Sequence, residues 1–142
     1  MTQQPEVIYL KDYQVPAFLI DHTALRFELE ADKTLVKARL KIRRNPESQS
    51  KARELELQGD STLLLCSISV NGQVLNKSEF QRNEQGLLVL DVPDECVLDT
   101  VTEINPDQNT ALEGLYRSDG VYCTQCEAEG FRRITFYLDR PD

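Results

Sequence analysis

Apolar and polar residues alternate in several short stretches of this chain, and such a two-residue period predicts β-strands. Residues 25–29 alternate in this way, and the pattern resumes over residues 36–42 after a short polar segment at 31–34. These stretches predict a β-hairpin with one buried face. On its wet face, the acidic side chains of the first strand should lie opposite the basic side chains of the second.

Further strand patterns follow, separated by turn residues. Residues 54–58 predict a third strand, and the more apolar residues 63–70 predict a fourth, more deeply buried one. Asn71-Gly72 fits the positive φ angles of a tight hairpin turn, so residues 73–75 should return along the fourth strand. Three later strands are predicted at residues 87–92, 97–104 and 133–138.

Seven to nine short strands with turn signals every ~8–12 residues favour an all-β fold. The expected architecture is an antiparallel β-sandwich or saddle-like β domain that takes up residues 1–142 as one domain. A chain of 142 residues with 40% hydrophobic content can bury a core of this kind.

Net charge and hydropathy limit the kinds of partner and the cellular location that are expected for the protein. A net charge of -8 repels phosphate backbones, so nucleic acid is not expected as a partner. The chain has no apolar run of the roughly 18 residues needed to span a bilayer, which predicts no membrane insertion. Residues 1–5 show neither the basic start nor the apolar core of a signal peptide, which predicts a cytoplasmic protein.

The single histidine limits hydrolytic chemistry. His22 is the only imidazole, whereas a His-Glu-x-x-His zinc site needs two. A Ser-His-Asp triad could use only His22, and nothing around it resembles a nucleophile site. The sequence therefore predicts no catalytic and no metal-binding residues in these 142 residues.

Four cysteines raise a separate possibility. Cys123 and Cys126 have the spacing of half a structural zinc site or of a redox pair, but Cys66 and Cys96 occur singly and do not complete a ligand set. We expect reduced thiols with structural roles. A small zinc-binding or thiol-redox module stays an alternative. Metal analysis and thiol titration would test it, because it requires bound zinc or an acidic thiol.

Polar, chargeable and thiol side chains are concentrated in residues 123–132, where a plain strand would alternate. This run contains Thr-Gln-Cys-Glu at 124–127. It follows Leu-Glu-Gly-Leu-Tyr-Arg-Ser at 112–118 and precedes Leu-Asp-Arg-Pro-Asp at 138–142. The order of these segments and the distances between them resemble those in the N-terminal domain of the aminopeptidase N family. The members of that family are zinc exopeptidases. Before about residue 103 the resemblance is looser and rests on strand pattern and on Asp12-Tyr13.

The resemblance implies roles for two residues. In that family, the loop that matches residues 124–127 projects from the N-terminal β domain into the active-site cavity of the catalytic domain. Glu127 matches the glutamate that binds the free α-amino group of the peptide substrate, and Gln125 matches a residue that lines the pocket for its first side chain. Glu129 receives no role. Arg132 is expected to be structural, holding the loop through an acidic partner.

The family's catalytic domain supplies the His-Glu-x-x-His helix, a third glutamate ligand, a Gly-Ala-Met-Glu-Asn strand and a catalytic tyrosine. None of these matches a segment of this chain, so the resemblance implies a substrate-anchoring domain that is inactive alone. Zinc would be bound elsewhere in the full enzyme. The domain is expected to continue beyond residue 142, which would leave open sheet edges that favour self-association.

A different class of function also fits the composition. A free-standing β-sandwich could bind another protein through exposed strand edges or through the loop at residues 125–130. The two hypotheses differ in whether the coding sequence continues past Asp142. Continuation into a His-Glu-x-x-His helix would support the enzyme, and a natural stop codon would support the binding module.

Overall fold

The computed structural model describes residues 7–141, in which ten strands form three antiparallel sheets. The strands are β1 (Phe18–Leu29), β2 (Thr34–Arg44), β3 (Leu55–Gln58), β4 (Leu64–Val70), β5 (Gln73–Val74), β6 (Phe80–Asn83), β7 (Gly86–Val89), β8 (Glu95–Ile104), β9 (Gly114–Ser118) and β10 (Val121–Gln125). Two short 3-10 helices span Leu10–Asp12 and Phe131–Arg133. The all-β antiparallel prediction is confirmed. Residues 1–5, on which the predicted location rests, and Asp142 lie outside the described residues.

The largest sheet has five strands in the order β1-β2-β8-β4-β5. Its first two strands form the predicted hairpin, in which Leu29 pairs with Thr34 next to the turn. The predicted turn at Asn71-Gly72 is also confirmed, because both residues have positive φ angles, 50° and 82°. The other sheets are β3-β7-β6 and the two-stranded β10-β9.

Both larger sheets contribute to one hydrophobic core. Alternate residues of β2 and β8 point inward, as the two-residue period predicts. The buried residues of these strands include Val36, Leu40, Ile42 and Leu98, and those of β3 and β7 are Leu55, Leu57, Leu87 and Val89. The expected sandwich is therefore present, with its core between the five-stranded and three-stranded sheets.

The outer face of the five-stranded sheet carries the predicted charges in a different arrangement. Glu28 lies opposite Leu35 in the register. Its partner is Lys37, which donates a 2.7 Å hydrogen bond diagonally across the hairpin and lowers the pKa of Glu28. Arg39 does face Asp99 on β8, and its Nε donates at 2.7 Å. Such exposed pairs contribute little to stability because water and salt screen them.

The apolar face of β1 is less buried than the sequence predicts. Phe27 is 38% exposed and Leu29 is 51% exposed, although their neighbours Val36 and Thr34 on β2 are fully buried. β1 is the edge strand of its sheet, so the end of its inner face extends beyond the residues that cover the sheet centre.

The predicted burial of residues 63–70 is wrong for most of β4. The pairing between β4 and β8 shifts between Leu65 and Ser67, and this irregularity interrupts the alternation. Leu64 is 58% exposed on the outer face, and Ile68 is the buried side chain of the strand. An apolar run alone does not show which sheet face another layer covers.

The predicted last strand at residues 133–138 is also wrong. The 3-10 helix Phe131–Arg133 occupies its start, and afterwards Tyr137 forms an isolated bridge with Gln58. Ile134, Thr135 and Phe136 are consecutive and all buried, so both sides of this segment are covered by protein. Alternation over these residues resembled a half-exposed strand because the sequence does not show that Thr135 is covered. Among residues 7–141, no helix has the length and apolar character to cross a membrane.

Within residues 7–141, four threonines lie in the core, and the hydroxyl groups of three of them have no hydrogen-bond partner among these residues. Thr102 Oγ1 lies 3.5 Å and 3.4 Å from the carbonyl oxygens of Val36 and Ile134. The Oγ1 atoms of Thr34, Thr100 and Thr135 have no hydrogen-bond partner. A buried hydroxyl without a partner costs about 1–3 kcal/mol of desolvation.

Replacement of Thr100 by valine should therefore stabilise the fold. Thr100→Val keeps the β-branched shape and removes an unpaired hydroxyl at a position that is 2% exposed. We expect the free energy of unfolding in urea to rise by about 1 kcal/mol. Thr102→Val is the matched control on the same strand and should give less gain, since its hydroxyl has acceptors nearby. A lower urea midpoint for Thr100→Val would contradict this account.

Candidate functional site

The loop that carries the predicted site residues follows a two-stranded hairpin. β9 and β10 pair from Ser118 and Val121 at the turn to Gly114 and Gln125 at the open end. These strands are not predicted by the sequence pattern, because polar and thiol residues interrupt the alternation. Asp119-Gly120 is a turn signal that could have found them, since both residues have positive φ angles, 49° and 82°.

The loop after β10 folds back on itself within a few residues. The Gly130 N–H donates a 3.0 Å hydrogen bond to the Cys126 carbonyl, which closes the loop. A Cβ atom on Gly130 would lie 2.8 Å from the Gln125 carbonyl oxygen and from Cys126 Cα, so only glycine fits there. The Glu127–Ala128 peptide bond is cis.

The two predicted site residues lie close together, Gln125 as the last residue of β10 and Glu127 on the loop that follows it, and both are exposed. The Glu127 N–H approaches Gln125 Oε1 at 3.4 Å, a long hydrogen bond that brings the two residues together. Within residues 7–141, no hydrogen bond or ion pair engages the Glu127 carboxylate.

Arg132 has the acidic partner that was predicted for it. Its backbone N–H and Nε donate to Asp139 Oδ2 at 3.0 Å and 2.9 Å, and Nη2 donates to the Asp139 carbonyl at 2.8 Å. Arg132 Nη2 also lies 3.6 Å from Glu129 Oε2. Glu129, for which no role was predicted, is therefore in an ion pair in the structure.

Arg133 fixes the same 3-10 helix to the base of the hairpin. Its Nε donates to Glu113 Oε2 at 3.0 Å, and Nη1 lies 3.7 Å from Asp60 Oδ2. The pKa of Asp60 is lowered. Partial burial acts to raise it, but this effect is outweighed by hydrogen bonds from Thr62 and by the nearby guanidinium groups. A Cβ atom on Gly114 would lie 2.7 Å from Arg133 Cβ, which shows how closely β9 packs on the helix.

Gln125 and Glu127 do not by themselves enclose a ligand. A cleft of about 300 Å³ lies near the hairpin base, and its lining includes Asn109, Leu115 and Arg133 but neither site residue. Binding sites for small molecules and peptides usually bury most of the ligand. An exposed loop of this kind can therefore complete a site only against a second surface.

The cysteines give no support to a reactive thiol pair. All four are free, with Cys96 buried and Cys126 partly buried. Burial, and secondly the Asp139 carboxylate, raises the pKa of the Cys126 thiol. Redox cysteines usually have lowered pKa values. Within residues 7–141, no group of three or more His, Cys, Asp and Glu side chains is placed to hold a metal ion.

The sequence is similar to curated proteins over its whole length. It is 43% identical over 142 residues to aminopeptidase N of Escherichia coli strain K12, a match that covers 100% of this chain and 16% of the relative. Aminopeptidase N of Caulobacter vibrioides is likewise 43% identical over 141 residues, covering 99% of this chain and 16% of the relative. The chain thus spans about one sixth of these relatives. No protein-family model matches the sequence.

The fold is similar to that of a solved aminopeptidase. A Legionella pneumophila aminopeptidase A, solved in complex with aspartic acid, aligns with a TM-score of 0.86 and 29% identity. The alignment covers 94% of this chain and 16% of that one. These comparisons agree with the resemblance carried by residues 112–142 and extend it to the first hundred residues.

The raised pKa of Cys126 predicts slow alkylation. Deprotonation is needed for attack, and a raised pKa leaves less thiolate at a given pH. In a variant in which Cys126 is the only cysteine, its rate of alkylation by iodoacetamide at pH 8 should be several-fold below that of N-acetylcysteine. The rate should keep rising at pH values where the free thiol has levelled off. A rate at pH 7 above that of the free thiol would contradict the raised pKa and revive the redox alternative.

Proposed function

Because this chain is homologous over its full length to the N-terminal region of aminopeptidase N, we propose that it is the substrate-anchoring domain of a zinc-dependent aminopeptidase. Such an enzyme removes amino acids from the N-terminus of peptides. The observation that carries the proposal is the exposed Glu127 carboxylate, which has no partner within residues 7–141 and lies on the Thr-Gln-Cys-Glu loop.

Glu127 is proposed to bind the α-amino group of the peptide. A terminal amine has a pKa of about 8, so it is mostly an ammonium ion at neutral pH. When the ammonium enters a closed site it loses water, and a carboxylate compensates this loss with charge-assisted hydrogen bonds of about 1.5–3 kcal/mol each. Fixing the amine also determines which peptide bond is presented for hydrolysis. Glu127 would in this way favour exopeptidase action.

Gln125 is proposed to border the pocket for the first side chain of the peptide. Its amide offers both a donor and an acceptor and carries no charge. A pocket bordered by such a group can accept varied side chains, because none of them must supply a counter-ion. The long contact of 3.4 Å between the Glu127 N–H and Gln125 Oε1 brings the two residues close to each other.

The catalytic groups are proposed to lie outside these residues. The residues present do not fit a zinc site, because the chain contains one histidine and residues 7–141 hold no suitable ligand cluster. A structurally similar protein from Deinococcus radiodurans is an M1 zinc metallopeptidase, solved with a Tyr-Ser-Ala substrate. It aligns with a TM-score of 0.68 over 90% of this chain and 31% of that one, and at 14% identity it supports the fold alone. The cytoplasmic location and a role in peptide breakdown stay predictions.

The alternative of a free-standing binding module is supported by the open edge of β1. This strand is 12 residues long, and its exposed Phe27 and Leu29 could contact another protein. The alternative does not explain the Thr-Gln-Cys-Glu loop. Self-association through the same edge also stays a prediction, which sedimentation of the purified chain would test.

Removal of the Glu127 charge should weaken the enzyme that contains this chain. Glu127→Gln keeps the shape and loses the counter-charge to the peptide amine. We expect kcat/KM on amino-acid arylamides to fall by about tenfold to a thousandfold, equivalent to roughly 1.4–4 kcal/mol.

Glu84→Gln is the matched control for Glu127→Gln, since Glu84 is an exposed glutamate in the turn between β6 and β7. It should leave kcat/KM within about twofold of the wild type, because surface substitutions away from a site have small effects. Equal kinetics for Glu127→Gln and the wild type would remove the proposed anchoring role.

A further inference from the structure

The guanidinium of Arg132 connects two carboxylates from different segments. Asp139 accepts its Nε at 2.9 Å, and Glu129 lies 3.6 Å from its Nη2. The Arg132 and Asp139 side chains are 30% and 11% exposed, so solvent screens this pair less than the pairs on the outer sheet face. Glu129 belongs to the loop that carries Glu127, two residues further along the chain.

Asp139 is itself held in place by β3. Its backbone N–H donates to Gln58 Oε1 at 3.0 Å. The backbones of Gln58 and Tyr137 exchange two hydrogen bonds of 2.8 Å and 3.0 Å. β3 contributes Leu55 and Leu57 to the core, and both are fully buried. Arg132 therefore connects the exposed loop to one of the most buried parts of the molecule.

The loop side of this connection has an unfavourable backbone conformation. Glu129 has a φ of 66°, in the left-handed region that non-glycine residues rarely adopt. Such a conformation costs about 1–3 kcal/mol and persists when surrounding contacts determine it. The ion pair with Arg132 is one such contact, and the Gly130 N–H to Cys126 hydrogen bond is another.

We propose that Arg132 is a positioning residue, which sets the place of the Glu127 carboxylate by holding Glu129 against Asp139. This inference rests on the proposed function of Glu127. Without the Arg132 guanidinium, Glu129 loses its link to Asp139 and only the backbone N–H of residue 132 still donates to Asp139 Oδ2, so Glu127 samples several positions. The peptide amine then binds less tightly and the peptide bond is presented less accurately.

The test uses the complete aminopeptidase that contains this chain, with amino-acid arylamides as substrates. Arg132→Met should lower kcat/KM by about tenfold. Arg132→Lys keeps the positive charge but loses the planar guanidinium group that contacts both carboxylates. It should therefore retain more activity than Arg132→Met. Arg44→Met is the matched control: Arg44 is also partly buried, pairs with Asp94 at 2.7 Å and donates to the Ala52 carbonyl at 2.9 Å, but lies on β2. It should keep kcat/KM within about twofold.

A double-mutant cycle separates positioning from a general loss of stability. If Arg132 acts through Glu127, Arg132→Met should change kcat/KM less than about threefold in a Glu127→Gln background. Equal fold losses in both backgrounds would overturn the inference. An Arg44→Met loss equal to that of Arg132→Met would overturn it as well.

Two further outcomes keep the inference apart from the proposed function. If Glu127→Gln lowers kcat/KM and Arg132→Met does not, the anchoring role holds and the positioning role is wrong. If Glu127→Gln has no effect, the anchoring role itself is wrong. If thermal unfolding shows that Arg132→Met is not folded, the same double-mutant cycle is run with Arg132→Lys. Equal losses of kcat/KM in both backgrounds then overturn the inference as well.

Discussion

The burial of residues 134–136 is the constraint on which the position of the loop depends. Phe136 has no exposed surface, and Gly59 leaves room for its ring, since a Cβ atom there would lie 2.3 Å from it. The Arg82 guanidinium stacks 4.9 Å from the centre of the same ring. Because this buried segment follows the loop directly, the core of the sandwich determines where an exposed, charged loop emerges.

Two kinds of ion pair in this molecule have different physical weight. The pairs on the outer face of the five-stranded sheet, such as Lys37 with Glu28, lie in water and contribute little to stability. The pair of Arg132 with Asp139 is partly buried and is supported by three hydrogen bonds. Geometry of this kind favours a defined position of the side chains over a large gain in stability.

The fold was predictable where the sequence pattern has a local cause. The alternation at residues 36–42 arises because only one face of β2 is covered by the core. Asn71-Gly72 specifies the turn between β4 and β5 through its preference for positive φ angles. The pattern at residues 133–138 misled because burial of Thr135 depends on segments distant in the chain. The site residues Gln125 and Glu127 came from the resemblance, since two exposed polar residues carry no local signal of function.

The place of β8 between β2 and β4 affects how the chain folds during synthesis. β2 ends at Arg44, but its partner strand β8 ends at Ile104, so the centre of the sheet cannot form until the residues up to Ile104 have been made. Meanwhile the β1–β2 hairpin presents its apolar face without cover. During this interval the uncovered apolar surface and the unpaired edge of β2 favour aggregation of the incomplete domain.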